Sequence, residues 1–263
     1  MLKSCSITMS LLLFASAAHA GVFLEDQTWT ELRDAIAAGS TTVIVPVGGT
    51  EQSGPHIALG KHNARVKFLA GKIAEGLGHT LVAPVVAYVP EGQIDPPTEH
   101  MKFPGTISIS DATFIQMLEQ TGRSLHHAGF TTVILIGDHG GYQKDLVTAA
   151  DALNKEWAGK GRAIGYHVYY QIAQHEYVDA LRAAGISEDE IGTHAALADT
   201  SLELATAPEM VRQDKMKNPS VTTLANGVYG GSPARSSAAL GQKGVDLIVL
   251  GTVTGLRKIL GGN

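Results

Sequence analysis

One short stretch, Val43 to His62 (VIVPVGGTEQSGPHIALGKH), carries an acid and two imidazoles, Glu51, His56 and His62. Carboxylate and neutral imidazole together suit a borderline divalent ion such as zinc, manganese or iron. The stretch opens on a β-branched run and reaches Glu51 across Gly48-Gly49, so a strand end would fix the carboxylate in space. Residue types alone leave two readings open. Glu51 and His62 are ligands, or Glu51 meets local backbone N–H groups and His62 caps the next helix. Thr131 to Gly141 (TTVILIGDHGG) repeats the form and ends in Asp138 and His139 among glycines. Those glycines leave room beside the imidazole for a ligand, or they form a phosphate-binding turn ahead of a helix. Neither G-x-G-x-x-G nor G-x-x-x-x-G-K occurs, which argues against a nucleotide.

A third cluster is His194-Ala-Ala-Leu-Ala-Asp199-Thr-Ser, where Asp199 is either a helix N-cap or a carboxylate facing the same site. Three near misses carry less. His175-Glu176 begins an H-E-x-x-H pattern, but Asp179 stands at the second His position. Gly230 to Ala234 approaches G-x-S-x-G, with Ala234 in place of the last glycine and no clear strand before it. His126-His127 sit late in a helical stretch, where they favour the negative end of the dipole.

The elements that would position these groups alternate between strand and helix. Leu24 to Ala38 reads as an amphipathic helix opening on Thr28-Trp29-Thr30-Glu31, and Thr41 to Val47 as a buried strand. Ala64 to Leu77 is the next helix, Leu81 to Val89 a strand, and Pro90 to Thr106 a proline-rich loop. Ser110 caps a helix through His127 that Gly129 stops. Thr131 to Ile136 is a strand, Tyr142 to Trp157 a helix, Arg162 to Gln171 a strand and Gln174 to Ala184 a helix. Asp246 to Val253, with IVLGTV at its centre, reads as a last strand. This order predicts a single layered α/β/α domain with a mainly parallel sheet over residues 21–263. In such sheets functional groups gather beyond the carboxyl ends of the strands, where both opening loops fall.

Lys3, an apolar run and Ala18-His19-Ala20 before Gly21 have the form of a removable signal peptide over residues 1–20. The mature chain would then be exported, to the periplasm if the cell is Gram-negative. It would keep no span apolar enough for a membrane. Cys5 is the one cysteine of the sequence and falls in that leader, which removes disulfides, thiolate ligands and a cysteine nucleophile from the mature protein. A net charge of −5 without a basic cluster excludes nucleic acid as the natural partner.

Taken together the motifs resemble the creatininase (creatinine amidohydrolase) family. The matching pieces, in order, are P-V-G-x-x-E-Q-x-G-P-H (Pro46 to His56), H-x-x-F-P-G-T (His100 to Thr106) and the strand with x-x-H-G-G (Val133 to Gly141). H-A-x-x-x-[ED]-T-S (His194 to Ser201) and G-V-Y-G-x-P (Gly227 to Pro233) complete the set. The resemblance implies a layered α/β hydrolase of small cyclic or linear amides, using one or two divalent metals and assembling as a homo-oligomer, commonly a hexamer. The chain departs from the pattern at several positions. Ser53 stands where the family has a histidine for a second metal, His62 where it has a bridging aspartate, and Gly141 where creatininase itself has a second-metal glutamate. Asp138 replaces a small or amide residue, and Asp199 a glutamate one methylene longer.

A neutral imidazole has one free lone pair and cannot bridge two ions as a carboxylate does. The resemblance, so amended, implies one divalent ion per chain, zinc first with manganese or iron as alternatives, on Glu51, His62 and His139 with Asp199 as a fourth ligand. It implies hydrolysis of a small amide, cyclic amide or lactone, the ion lowering the pKa of its water from 15.7 to about 7. Asp199, His194 and His56 are the candidates for moving the proton, and His100, Asp138 and Gly140 for holding a small-molecule substrate. The rival reading is a non-catalytic exported binding protein on the same fold.

Overall fold

The computed structural model describes residues 21–261. Its centre is a four-stranded sheet, all parallel, in the order β2-β1-β3-β4. In chain order the elements are α1 (Trp29–Ala37), β1 (Thr42–Val47), α2 (Lys61–Leu77), β2 (Thr80–Val82), α3 (Asp111–His127), β3 (Thr132–Gly137), α4 (Gln143–Trp157) and β4 (Arg162–Gly165). They are followed by α5 (Val168–Gln174), α6 (Glu176–Ala183), α7 (Glu188–Ile191), β5 (Gly192–His194), α8 (Leu197–Thr206), α9 (Gln213–Met216), β6 (Tyr229–Gly231) and α10 (Ala238–Leu260).

The strands alternate their faces with a period of two, and each face is covered. Val43, Val45, Val47, Val133 and Leu135 pack against Phe114 and Leu118 of α3 and Leu146 and Leu153 of α4. Ile44, Ile134 and Ile136 point the other way, into a core built with Val66, Leu69 and Ile73 of α2 and Ile248 of α10. The helix ends follow their sequence signals. Thr28 and Glu31 form a complete capping box, Ser110 Oγ accepts from the Thr113 N–H, and Gly129 closes α3 with φ +113°.

Four expectations about elements are corrected. Asp246 to Val253 lies inside α10, not in a strand. Gly241, Gly244, Val245, Ile248, Thr252, Val253 and Leu256 are the buried positions, and their recurrence at three-to-four spacing is that of a helix face. A Cβ on Gly241 would lie 1.8 Å from the Ser201 carbonyl oxygen, so this glycine lets α10 press onto α8. Packing overrides the β-branched composition there. The strand expected over residues 162–171 stops at Gly165 and is followed by α5. That expected over 81–89 is regular only to Val82, with isolated bridges at Val86 and Val89. Finally, α2 begins at Lys61, so His62 lies in its first turn and not in the loop before it. The signal-peptide segment lies outside the described residues. Among the described residues, no helix is long and apolar enough to cross a membrane.

Candidate metal-binding active site

β1 and β3 are neighbours with Val47 opposite Gly137, so the loops after them leave the sheet side by side. Tyr142 staples them. Its hydroxyl faces the carbonyls of Val47 and Gly48 at 2.9 and 2.5 Å and accepts from the N–H groups of Asp138 and His139. Between these loops lies Glu51, fully buried, and the site is arranged around its two carboxylate oxygens.

The Oε1 side is crowded with donors. His62 Nε2 lies 2.7 Å away and Lys61 Nζ 3.4 Å. The Lys61 ammonium also pairs with Asp199. Arg65, one turn along α2 from His62, donates to Asp138 through Nε at 2.8 Å and to Asp199 Oδ1 at 2.6 Å. His62 Nδ1 lies 2.5 Å from Asp138 Oδ2, and the Tyr169 hydroxyl donates to Asp138 Oδ1 at 2.8 Å. Burial pushes Glu51 and Asp199 upward, but Lys61 with His62 in the first case, and Lys61 with Arg65 in the second, outweigh it. Both carboxyls stay well below their ordinary range.

The Oε2 side is the opposite. Glu51 Oε2 and both oxygens of Glu91 are buried without a hydrogen-bond partner. His139 stands between them, with Nε2 3.6 Å from Glu51 and Nδ1 3.6 Å from Glu91. Gly49 makes the approach of Glu91 feasible. Its φ is +149°, and a Cβ there would meet Glu91 Oε1 at 2.5 Å. Burial and then the charge of Glu51 raise Glu91 to about 10, so without an ion it keeps its proton. Burial lowers His139 to about 4, which leaves the imidazole neutral and able to ligate.

Two groups of side chains bring one donor atom each close enough to share an ion, namely Glu51 with Glu91 and His139, and Glu51 with His100 and His194. The first fits a divalent ion on its orphaned oxygens, the ion taking the place of the proton that Glu91 otherwise keeps. The second presents His100 Nε2 and His194 Nδ1 to Glu51, while Gln52 engages the other ring nitrogens, His100 Nδ1 through its side-chain amide and His194 Nε2 through its carbonyl. Burial lowers His194 to about 3.

Of the residues singled out from sequence, Glu51, His139, His100 and His194 meet here. His62 and Asp199 are beside them but in neither group. Both ring nitrogens of His62 are engaged, by Glu51 and Asp138, and both oxygens of Asp199 are held by cations. Nor is Asp199 a helix N-cap; it sits in the first turn of α8 and accepts from the Ala195 N–H. Asp138 is consumed by Arg65, His62 and Tyr169, and Gly140 gives room to Tyr170, whose hydroxyl would lie 2.8 Å from a Cβ there. His56 is buried against Thr200 at 3.0 Å, outside the cavity.

Sequence reasoning missed Glu91, Lys61 and Arg65. Glu91 follows the run 81–89 as Glu51 follows β1, and the rule of strand ends would have found it. His126, by contrast, is structural, stacked on Trp157 at 4.5 Å and bonded to the Phe130 carbonyl.

A cavity of about 180 Å³ opens beside these groups, with Lys61, His100, His139 and His194 on one wall and Tyr170, Tyr177, Leu202 and Ile248 on another. The parallel α/β sheet thus carries, at its strand ends, a carboxylate–imidazole centre whose donors could hold a metal ion. The creatinine amidohydrolase family profile matches residues 25–256, and the chain belongs to the creatininase family. The mycofactocin precursor peptide peptidase of Mycolicibacterium smegmatis is 30% identical over 210 residues, 76% of this chain and 78% of that protein. The creatinine amidohydrolase of Pseudomonas putida is 26% identical over 222 residues, 82% of this chain and 84% of that one. A solved structure titled "Creatininase Mn" superposes with a TM-score of 0.73 at 25% identity, covering 90% of this chain and 98% of that one. The family match and the donor set favour a hydrolase over a non-catalytic binding protein.

Proposed function

We propose that the protein hydrolyses a small amide, cyclic amide or lactone with one divalent ion held by Glu51, Glu91 and His139. The three orphaned carboxylate oxygens around His139 carry this reading. Carboxylate–imidazole ligation suits zinc, with manganese or iron as alternatives. Bound there, the ion would supply Lewis acidity and a more acidic water.

The chain's own residues do the rest. His194, on the cavity wall with Nδ1 3.6 Å from Glu51, is placed to take the proton of the attacking water and pass it to the leaving nitrogen or oxygen. Gln52, through its carbonyl and its amide, fixes the orientation of the His194 and His100 rings. His62 and Lys61 hold the Oε1 edge of Glu51 in place, so its carboxylate cannot swing away. Asp199, clamped by Lys61 and Arg65, stays anionic and supports that clamp; it is a poor proton carrier. His100 and Tyr170 bound the substrate space.

The cavity falls below the roughly 300–1,000 Å³ usual for drug-sized ligands, which favours a compact substrate over a peptide. Export follows from the leader pattern of residues 1–20. A homo-oligomer is consistent with the exposed Leu250 on α10.

The test is a panel of small amides, cyclic amides, lactones and dipeptides assayed with chelator-stripped protein before and after adding Zn²⁺ or Mn²⁺. Turnover of a compact member that returns with metal and vanishes in His139→Ala supports the proposal. Turnover unaffected by chelation contradicts it, and preference for peptides contradicts the substrate class.

A further inference from the structure

The two candidate groups share Glu51, and each could be expected to hold an ion. The difference between them is one side chain. Lys61 is fully buried at the start of α2, and it meets carboxylates alone, Asp199 and Glu51 Oε1. His194 Nδ1 lies 3.6 Å from that same Glu51 oxygen, so an ion drawn in by Glu51 and His194 would stand against the ammonium. Like charges that close, in a buried cluster, exclude one another. On the Glu91 side no lysine or arginine among the described residues approaches within ion-pair distance.

We propose that Lys61 is a fixed internal cation that keeps a divalent ion out of the His194 side of Glu51, and that removing it converts a one-ion centre into a two-ion centre. The inference rests on the reading that the Glu91 side holds an ion. Without Lys61, Glu51, His100 and His194, whose donor atoms lie within 4.8 Å of one another, no longer face a fixed ammonium. That set offers one carboxylate and two imidazoles, against the two carboxylates and one imidazole of Glu51, Glu91 and His139. Both sets are carboxylate–imidazole donors around the shared Glu51, and the ammonium stands on the His194 side. Arg65 does not replace it, because Arg65 engages the other Asp199 oxygen, Oδ1, at 2.6 Å and Asp138 beyond it. His62 remains on Glu51 Oε1 in either case, so the second ion would depend chiefly on His100 and His194.

The experiment strips metal from the wild type, Lys61→Ala and Lys61→Arg, titrates each with Mn²⁺ or Zn²⁺ by calorimetry, and counts the metal retained after gel filtration. The expected result is one equivalent for the wild type and for Lys61→Arg, and two for Lys61→Ala. One equivalent in Lys61→Ala overturns the inference and leaves the Glu91-side reading standing, as does a wild type that binds two. A wild type that binds none overturns that reading, and the inference with it. Should Lys61→Ala not fold when stripped, it is refolded against increasing Zn²⁺. Recovery that saturates at two equivalents supports the proposal, while recovery at one, without metal, or not at all overturns it.

Discussion

The two edges of one carboxylate, Glu51, live in opposite surroundings. Along Oε1 every buried acid has a fixed basic partner, with Asp138 and Asp199 on Arg65 and Asp199 and Glu51 on Lys61. Along Oε2 a second acid, Glu91, stands across the neutral His139 imidazole from Glu51, with His100 Nε2 3.3 Å from the same Glu51 oxygen. The first edge is complete when the chain folds. The second is complete only when something positively charged is added. A self-neutralised cluster is scaffold, and an unneutralised one of the same residue types is a binding site.

Breaking the scaffold edge should cost the most. Arg65→Ala leaves buried Asp138 and half-buried Asp199 with less than their due of positive charge, and a destabilisation of about 3–5 kcal/mol is expected from denaturant titration of metal-free protein. A loss under 1 kcal/mol would mean that the paired edge is not structural. Glu91→Gln should behave in the reverse sense. Metal-free stability should change little, because the native carboxyl already carries a proton, while divalent-ion affinity should fall on the order of 100-fold, the upper end of what even an outer-shell partner costs. Thermal melts with and without Zn²⁺ separate the two effects, and equal losses in both would merge the edges the account keeps apart.

The same contrast sets a pH dependence. Buried His56 and His194 and half-buried His139 titrate near 4, 3 and 4 in the folded chain against an ordinary 6.5, so the unfolded chain binds more protons between those values. Stability from these groups is present above 6.5 and is lost as pH falls toward 4. Glu91 has the opposite sign. Its folded value near 10 exceeds the ordinary 4.5, so the stability it contributes is full below 4.5 and drains as pH rises toward 10. Glu203, buried and raised to about 8, adds to that decline. Metal-free protein should therefore be most stable near pH 6.5. Added metal should flatten the alkaline limb, since it favours the ionised form of Glu91. Melting temperatures that climb steadily from pH 6.5 to 9 without metal would count against the Glu91 assignment.

Much of this was legible beforehand, and the failures have physical causes. The strand-loop pairs ending in Glu51 and His139 were readable because a β-branched run followed by glycines has few alternatives, and their convergence follows from β1 and β3 being parallel neighbours. The helix covering residues 246–253 was not, because six residues of β-branched and aliphatic chain look alike in a strand and in a tightly packed helix, and the glycine at 241 that decides the matter lies outside the window. Lys61 escaped notice because a lysine is ordinarily a solvated side chain, and only the positions of Glu51 and Asp199 draw this one inside. His62 was read as a ligand from its place in the family pattern. Its neighbours three residues on and across the sheet, Arg65 and Asp138, claim it instead.

The smallest expected effect is also on the scaffold edge. Tyr169→Phe removes one hydroxyl from Asp138 and should cost about 0.5–1.5 kcal/mol in stability, with metal affinity unchanged. A change in metal affinity as large as that of Glu91→Gln would show that Asp138 belongs to the ion site.

The central claim concerns where a divalent ion sits, and anomalous diffraction from crystals grown with Mn²⁺ addresses it directly. The account predicts one anomalous peak per chain, within coordination distance of Glu51 Oε2, Glu91 and His139. A peak seated on His194 and the Oε1 edge of Glu51, beside Lys61, would contradict it.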